Sequence, residues 1–285
     1  MNILSFDIED WWIYNHYKIG KERDWLPRLD NYLAQVLDLL DQREIKATFF
    51  ILGENAKFYP KIVSRIASKG HHIGCHSFSH KFWNDTTTPK EVIEDTCQGL
   101  DIIENITGQK VNAYRAPAFS ITEKNNWILS VLAEQGVKYD CSVFPSKRSI
   151  GGFPSYKTNL PTIIEINGTS IKEFPIATAT LCGKKVVFSG GGYFRLFPYR
   201  KIKSLTMNSD YLMTYFHIKD FDKKQVKMYE SLENESALLR YFKNYYGLYN
   251  CFDKFCKFIA DFDFVSVEQA DKLIDWRKQS KIKFT

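Results

Sequence analysis

The first half of the chain alternates between two hydrophobic patterns, and this alternation restricts the fold more than any other feature of the sequence. Asn2–Phe6, Ala47–Leu52, His72–Cys75, Val111–Tyr114 and Val137–Tyr139 are short, largely apolar runs. Between them lie segments with helical spacing: Leu29–Leu40, Tyr59–Ala67, Pro89–Ile106 and Glu123–Gln135. Pro60 suits a first helical turn, and Gly70, Thr107-Gly108 and Gly136 are stop signals. Strands that alternate with helices need crossover connections, and crossovers make parallel sheets. The expected fold is therefore α/β, a parallel sheet or barrel with helices outside it.

The rest of the chain reads differently. Gly151–Phe197 is rich in glycine and holds β-like runs at Thr162–Ile166, Ser170–Phe174 and Lys185–Phe188. It reads as an irregular β-rich insertion of hairpins and loops, spanning about 151–198 within a single domain of residues 1–285. Tyr211–Phe216 returns to a strand pattern. Leu238–Tyr246 and Phe252–Ala260 read as helices, and Phe264–Val267 as a last strand before a C-terminal helix. Sheet-like elements at both ends of the chain are what a nearly closed barrel requires.

Composition sets the outer limits. A chain of 285 residues with 44% hydrophobic and 25% charged residues has a globular profile and can bury a large core. Six cysteines are too sparse for a disulfide scaffold and are expected as reduced thiols, with Cys251 and Cys256 packing in a helix. The net charge of +6 is mild. The densest basic stretches, Lys219–Lys227 and Arg277–Lys283, are interrupted and read as solvated surface, so no nucleic-acid partner is expected. No apolar run reaches roughly 18 residues, so no integral membrane segment is expected. The first residues lack a secretory pattern, which points to a cytoplasmic protein, at most peripheral to the inner membrane face.

Three groups of reactive residues fall at predicted strand ends. Asp7-Ile8-Glu9-Asp10 follows the first strand, His76-Ser77-Phe78-Ser79-His80 follows the third, and Tyr215-Phe216-His217 ends a late one. In parallel α/β folds the C-terminal strand ends collect the active site. Two histidines four apart lie on one face of a helical turn and can reach one ion. A nearby carboxylate completes a facial set with positions left for water and substrate. Each group has an ordinary alternative: acids after a strand cap helices, HxxxH is often a surface pair, and a single histidine is often an interior hydrogen-bonding residue. Their coincidence at one end of one sheet is what suggests a metal-dependent hydrolase.

These residues resemble a family. Thr48-Phe49-Phe50, followed by Gly70-His71-His72-Ile73-Gly74-Cys75-His76-Ser77-Phe78-Ser79-His80, is similar to the polysaccharide deacetylases of carbohydrate esterase family 4. Ser5-Phe6-Asp7-Ile8-Glu9, Tyr114-Arg115-Ala116-Pro117-Ala118-Phe119, Tyr139-Asp140-Cys141-Ser142 and Tyr215-Phe216-His217 resemble the remaining motifs, in order. Gly190-Gly191-Gly192-Tyr193-Phe194-Arg195-Leu196-Phe197-Pro198 and His217-Ile218-Lys219-Asp220-Phe221-Asp222 resemble a subgroup from bacterial exopolysaccharide and surface-glycan biosynthesis.

The resemblance implies a distorted (β/α) barrel of about seven parallel strands. It also implies removal of acetate from an N-acetylated amino sugar with a divalent metal, zinc first among them. By resemblance, Asp7 is the general base that takes a proton from the attacking water. His76 and His80 are metal ligands. Ile8 stands where the commonest pattern has a ligating aspartate, so the acidic ligand is Glu9, with Asp10 as the alternative. His217 is the acid that protonates the leaving amine. Arg115 orients the base, and Asp140 tunes the catalytic histidine. A backbone N–H near Ala118–Phe119 shares the oxyanion charge, although Ala118 replaces the usual tyrosine. His71 and His72 are structural, with His72 in place of the usual glutamate. Pro117, Phe119 and Tyr193 contact the sugar, and Tyr193, Phe194 and Trp11-Trp12 either stack on sugar faces or pack the core. The expected substrate is an N-acetylated amino-sugar glycan or its activated precursor, lipid-linked or nucleotide-bound, in surface-glycan assembly. The competing readings are a hydrolase of a non-sugar amide and a non-catalytic glycan-binding relative.

Overall fold

The computed structural model describes residues 1–12, 22–148, 150–181, 183–225, 238, 242 and 245–284. The predicted helix at 238–246 falls largely outside these residues, and Cys182 does so entirely.

The chain begins with β1 (Asn2–Ile3) and β2 (Ser5–Ile8), then the long helix α1 (Glu22–Gln42) and β3 (Thr48–Ile51). Two short helices, α2 (Gly53–Phe58) and α3 (Pro60–Ser68), lead to β4 (His72–Cys75). Helix α4 (Pro89–Thr107), β5 (Ala113–Tyr114), α5 (Ile128–Glu134) and β6 (Tyr139–Asp140) complete the alternating half. Then come β7 (Thr162–Ile166), β8 (Thr169–Glu173), β9 (Thr178–Leu181) and β10 (Lys184–Val187). Helices α6 (Gly191–Leu196) and α7 (Tyr199–Met207) precede β11 (Leu212–Met213) and β12 (Phe216–His217). Helices α8 (Cys251–Asp261) and α9 (Val267–Leu273) and strand β13 (Lys281–Phe284) finish the described chain.

One nine-stranded sheet runs in the order β12-β2-β3-β4-β5-β6-β8-β7-β13. From β12 through β8 every neighbour is parallel, which gives the expected seven parallel strands. The glycine-rich segment supplies the seventh: β8 pairs with β6, Asp140 opposite Glu173. Strands β7 and β8 form an antiparallel hairpin over Asn167 and Gly168, whose φ angles are 47° and 78°. That Asn-Gly pair is the type I′ turn that matches strand twist.

Strands β2 and β3 are buried at every position, as expected for strands covered on both faces. Phe6 stacks on Phe49 at 4.9 Å, and Phe216, Phe255, Phe194 and Phe221 extend this aromatic core. Helix α4 is delimited by its caps: Thr88 and Glu91 form a reciprocal capping box, and Gly108 takes the left-handed C-terminal position at φ 66°. No helix among the described residues is long and apolar enough to cross a membrane.

Three local expectations need correction. The first strand and Tyr211–Phe216 are each interrupted, so β1 pairs with β11 and β2 with β12. Between them Ser5 N–H donates to Thr214 Oγ1 at 2.9 Å. The predicted strand Phe264–Val267 reduces to one bridge, Val265 to Ile3, because Ser266 caps α9 immediately afterwards. The last strand among the described residues is β13, which overlaps the stretch Arg277–Lys283 read as a basic surface. Its lysines 281 and 283 face Glu165, and it pairs in parallel with β7.

Candidate active site

Asp7 lies on β2, directly opposite His217 on the neighbouring β12. Its carboxylate is buried and accepts a 2.6 Å bond from Arg115 Nη1, itself fully buried. The Arg115 fork is fixed twice more, by Nε donating to the Cys141 carbonyl at 3.2 Å and by its plane lying 4.2 Å from the Phe50 ring centre. A guanidinium held this rigidly fixes the orientation of the carboxylate it pairs with.

Two residues on, the Glu9 side chain meets both histidines of the HxxxH motif. Glu9 Oε2 lies 3.2 Å from His76 Nε2 and 2.5 Å from His80 Nε2. One donor atom from each of the three residues falls within 4.8 Å of the other two. Asp10 is turned elsewhere: its Oδ2 accepts from the Lys219 backbone N–H at 2.9 Å, and its Oδ1 lies 3.6 Å from Lys219 Nζ. Between the two acids, Glu9 faces the histidines.

The histidines come together without the helical turn expected from their spacing. Residues 76–80 form a bend in which Ser77 and His80 take positive φ, 64° and 56°. Asp95 on α4 holds the bend by accepting from Phe78 N (2.8 Å), Ser79 N (3.0 Å) and Ser79 Oγ (2.6 Å). Ser77 Oγ accepts from His80 N at 3.0 Å. Gly99 makes this docking possible: a Cβ there would stand 2.9 Å from Cys75 Sγ. His76 Nδ1 lies 2.7 Å from the Arg115 carbonyl. That acceptor calls for a proton on Nδ1 and leaves Nε2 free to ligate.

His217 completes the cluster, its Nε2 3.3 Å from Glu9 Oε1 and 3.9 Å from Asp7 Oδ2. Here a sequence expectation fails. Asp140 was to tune this histidine, but its carboxylate accepts from Ser142 N and Oγ and shares a hydrogen bond with Glu173 on β8. Asp220 stands at His217 Nδ1 instead, at 3.4 Å, and accepts the His217 backbone N–H at 3.0 Å. Asp220 is in turn gripped by buried Arg195. The turn carrying it is tied to α1 by an Arg28–Asp222 ion pair at 3.2 Å.

The charges of the cluster support one another. Burial disfavours the Glu9 charge, but His80, Lys219 and His217 outweigh it and hold the carboxyl well below its usual range. Burial likewise disfavours a charged His76, yet its bond to Glu9 raises it overall. Asp10 is pushed up by burial despite Lys219.

Of the residues expected to touch the sugar, only Tyr193 is exposed, at 43%. Pro117 is buried. Phe119 is only 4% exposed because its ring packs on Phe144 and Tyr215, so it supports the site wall rather than offering a face. Ala118 and Phe119 both take positive φ, 52° and 53°. Trp11 is core, while Trp12 lies on the His80 ring at 4.7 Å. Lys219, expected in a solvated basic stretch, instead pairs with Glu9 and Asp10 inside the site, and Asp220 had no expected role. Their only signal was proximity to His217, since spacing does not say which carboxylate a histidine faces.

A parallel α/β sheet with a Glu-His-His triangle, a buried Asp–Arg pair and a third histidine at its C-terminal edge has the layout of a metal-dependent hydrolase. Comparison with known proteins narrows this class. Residues 22–139 match the polysaccharide deacetylase family model, and residues 141–272 match a domain of unknown function (DUF3473). The peptidoglycan-N-acetylglucosamine deacetylase of Bacillus cereus is 36% identical over 110 residues, 38% of this chain and 39% of that protein. The peptidoglycan-N-acetylmuramic acid deacetylase PdaA of Bacillus subtilis is 32% identical over 112 residues, 36% of this chain and 42% of that protein. The chain thus matches about two fifths of the length of these relatives. The fold is shared more widely. A crystal structure from Mycobacterium smegmatis, assigned to the polysaccharide deacetylases, superposes with a TM-score of 0.66 at 15% identity, covering 99% of this chain and 92% of that one. A family 4 pseudoenzyme from Bacillus anthracis superposes at 0.50 and 12% identity, covering 100% and 69%. Residues 22–139, about two fifths of the chain, are thus similar to the polysaccharide deacetylases. His76, His80 and Arg115 lie within the matched segment; Asp7 and Glu9 precede it, and His217 and Asp220 follow it.

Proposed function

We propose that this protein hydrolyses the N-acetyl group of an amino sugar in a bacterial surface polysaccharide or its precursor, with the help of a divalent metal. The observation that carries the reading is the convergence of Glu9, His76 and His80 beside Asp7 and His217.

Glu9, His76 and His80 would hold the ion. Two imidazole nitrogens and one carboxylate oxygen are a donor set that suits zinc, and His76 Nδ1 already has a backbone acceptor that orients the ring. When bound, a divalent cation supplies Lewis-acid activation of water and of the acyl carbonyl. Asp7 is the general base: it is held by Arg115 and aimed at the space between His217 and the triangle. His217 is the general acid. An amine leaves poorly unless protonated, and His217 Nε2 reaches into the cluster while Asp220 holds the opposite ring nitrogen. Phe119 N–H is engaged with the Ala116 carbonyl at 3.0 Å, so the neighbouring Ala118 N–H is the oxyanion donor, presented by a left-handed backbone. The exposed Tyr193 offers a ring to the sugar. Zinc as the metal, and a surface glycan as the substrate, follow from the donor set and from the motif resemblance.

The test is elemental analysis of the purified protein together with acetate release from N-acetylglucosamine oligomers, with and without chelator. About one ion per chain and chelator-sensitive acetate is the expected result. Metal without acetate from any N-acetyl sugar would redirect the reading to a non-sugar amide. Neither metal nor acetate, even after adding divalent ions, would leave a glycan-binding relative.

A further inference from the structure

Most of the cations around the site have a carboxylate partner. Arg115 pairs with Asp7, Lys219 with Glu9 and Asp10, and Arg195 with Asp220. Arg148 does not. No carboxylate among the described residues lies within ion-pair distance of it, and its Nη1 is buried without a hydrogen-bond partner. A buried donor on a charged group costs free energy while it stays unmade, so a fold that keeps one calls for an explanation.

The guanidinium is held in place by its surroundings. It lies 4.5 Å from the Phe144 ring centre and 5.1 Å from that of Phe119. The same Phe119 ring lies 5.6 Å from the guanidinium of Arg115, the partner of Asp7. One aromatic ring therefore stands between Arg148 and the pair that orients the proposed base. The charge of Arg148 also reaches the phenol of Tyr215, two residues before His217, which Tyr193 approaches as well.

The loop that follows Arg148 is fitted to the same wall. Gly152 N–H donates to the Phe119 carbonyl at 3.0 Å. A Cβ on Gly151 would come within 2.2 Å of the same oxygen, so only glycine lets the loop seat against the Pro117–Phe119 turn. Gly151 and Gly152 take φ of 66° and 91°, as this course requires. Arg148 is thus set in register with the turn that carries the proposed oxyanion donor.

We propose that Arg148 is a substrate-specificity residue that binds an oxyanion, a carboxylate or a phosphate, carried by the sugar being deacetylated or by its neighbour. A guanidinium packed against aromatic rings is held in place while its Nη1 stays unpaired, and its planar fork matches such an oxyanion with two parallel bonds. Since no acid among the described residues pairs with it, the acid comes from the ligand. This inference rests on the deacetylase reading and refines its substrate to an acidic glycan.

The experiment compares kcat/KM for acetate release from three probes: a neutral N-acetylglucosamine oligomer, an oligomer containing N-acetylmuramic acid, and N-acetylglucosamine 1-phosphate. Each is measured with the metal-loaded wild type, Arg148→Gln and Arg148→Lys. We expect the wild type to prefer one acidic probe over the neutral one, and Arg148→Gln to reduce that ratio by about 10- to 100-fold. Arg148→Lys restores part of the ratio, because an ammonium keeps the charge but loses the fork. The favoured probe, carboxylate or phosphate, identifies the source of the oxyanion. A wild-type ratio near one, or the same ratio in all three proteins, overturns the inference and leaves the deacetylase reading intact. If the wild type releases no acetate from any probe, the deacetylase reading fails. Equilibrium binding of the two acidic probes then decides separately: binding at least tenfold weaker in Arg148→Gln supports the oxyanion site, and equal binding removes it.

Discussion

Strand β4 has histidines at both ends, and the two ends have opposite chemistry. His71 and His72 stand at its start, lining a cavity of about 310 Å³ with Lys46, Lys110 and Asn112. His76 and His80 follow its end. At the start, His72 bonds to Thr48 Oγ1 and Asn112 Oδ1, both at 3.1 Å, and His71 Nδ1 lies 3.4 Å from the Ala47 backbone N–H. Among the described residues no carboxylate bonds either ring, and burial drives both toward the neutral form, His71 down to about 4. At the end, Glu9 lies against both rings and His76 moves the other way. What sets the second pair apart is the carboxylate that reaches both of its rings.

The comparison can be broken most severely at Asp7. Asp7→Asn keeps Glu9, His76 and His80, and is expected to lower kcat by about 10²–10⁴ while metal content stays near that of the wild type. Loss of metal in that variant would make Asp7 a ligand rather than the base. Glu9→Gln removes the feature that separates the two ends. Its metal affinity should fall by more than the roughly 10–100-fold typical of outer-shell changes. His71→Gln should leave metal content unaltered, and a fall there would place the ion at the wrong end of the strand.

The His71 end is read by pH. Its folded pKa of about 4 lies below the ordinary 6.5, so between these values the unfolded chain binds a proton that the folded chain refuses. Stability from this group is whole above about pH 6.5 and falls as the pH drops toward 4. Urea unfolding at pH 7 and pH 5 should show the wild type losing about 2 kcal/mol more than His71→Gln. Equal losses would mean that His71 titrates normally. The smallest effect expected is at Asp220. Asp220→Asn should slow turnover roughly tenfold with metal retained, since His217 keeps its place but loses a charged partner. An unchanged rate would return the tuning role to another group.

The architecture was legible in the sequence because crossovers impose it: short apolar runs alternating with runs of period 3.6 have few solutions other than a parallel sheet with outer helices. The DIED and HSFSH clusters were legible for the related reason that strand ends converge. What could not be read was partner choice. Asp140 and Asp220 are both acids near a strand end, and only the register of β6 against β8 turns the first toward Glu173. Strand β13 was hidden because its alternating lysines look like solvated surface until Glu165 is placed opposite them. The HSFSH bend hid its shape because its support, Asp95, comes from a helix more than a turn of chain away.

The pairing of β2 with β12 also has a consequence in time. Phe6 and Asp7 find their partners in Phe216 and His217, about 200 residues later in the chain. At synthesis rates of roughly 5–20 residues per second, the strand bearing Asp7 waits on the order of 10–40 s beside the ribosome with one edge bare. The histidines and Arg115 emerge early and can assemble on β3–β5 during that interval. Catalytic competence would therefore arrive late and all at once, when residue 217 clears the exit tunnel and closes the edge. Until then the nascent sheet is the state in need of protection from its neighbours.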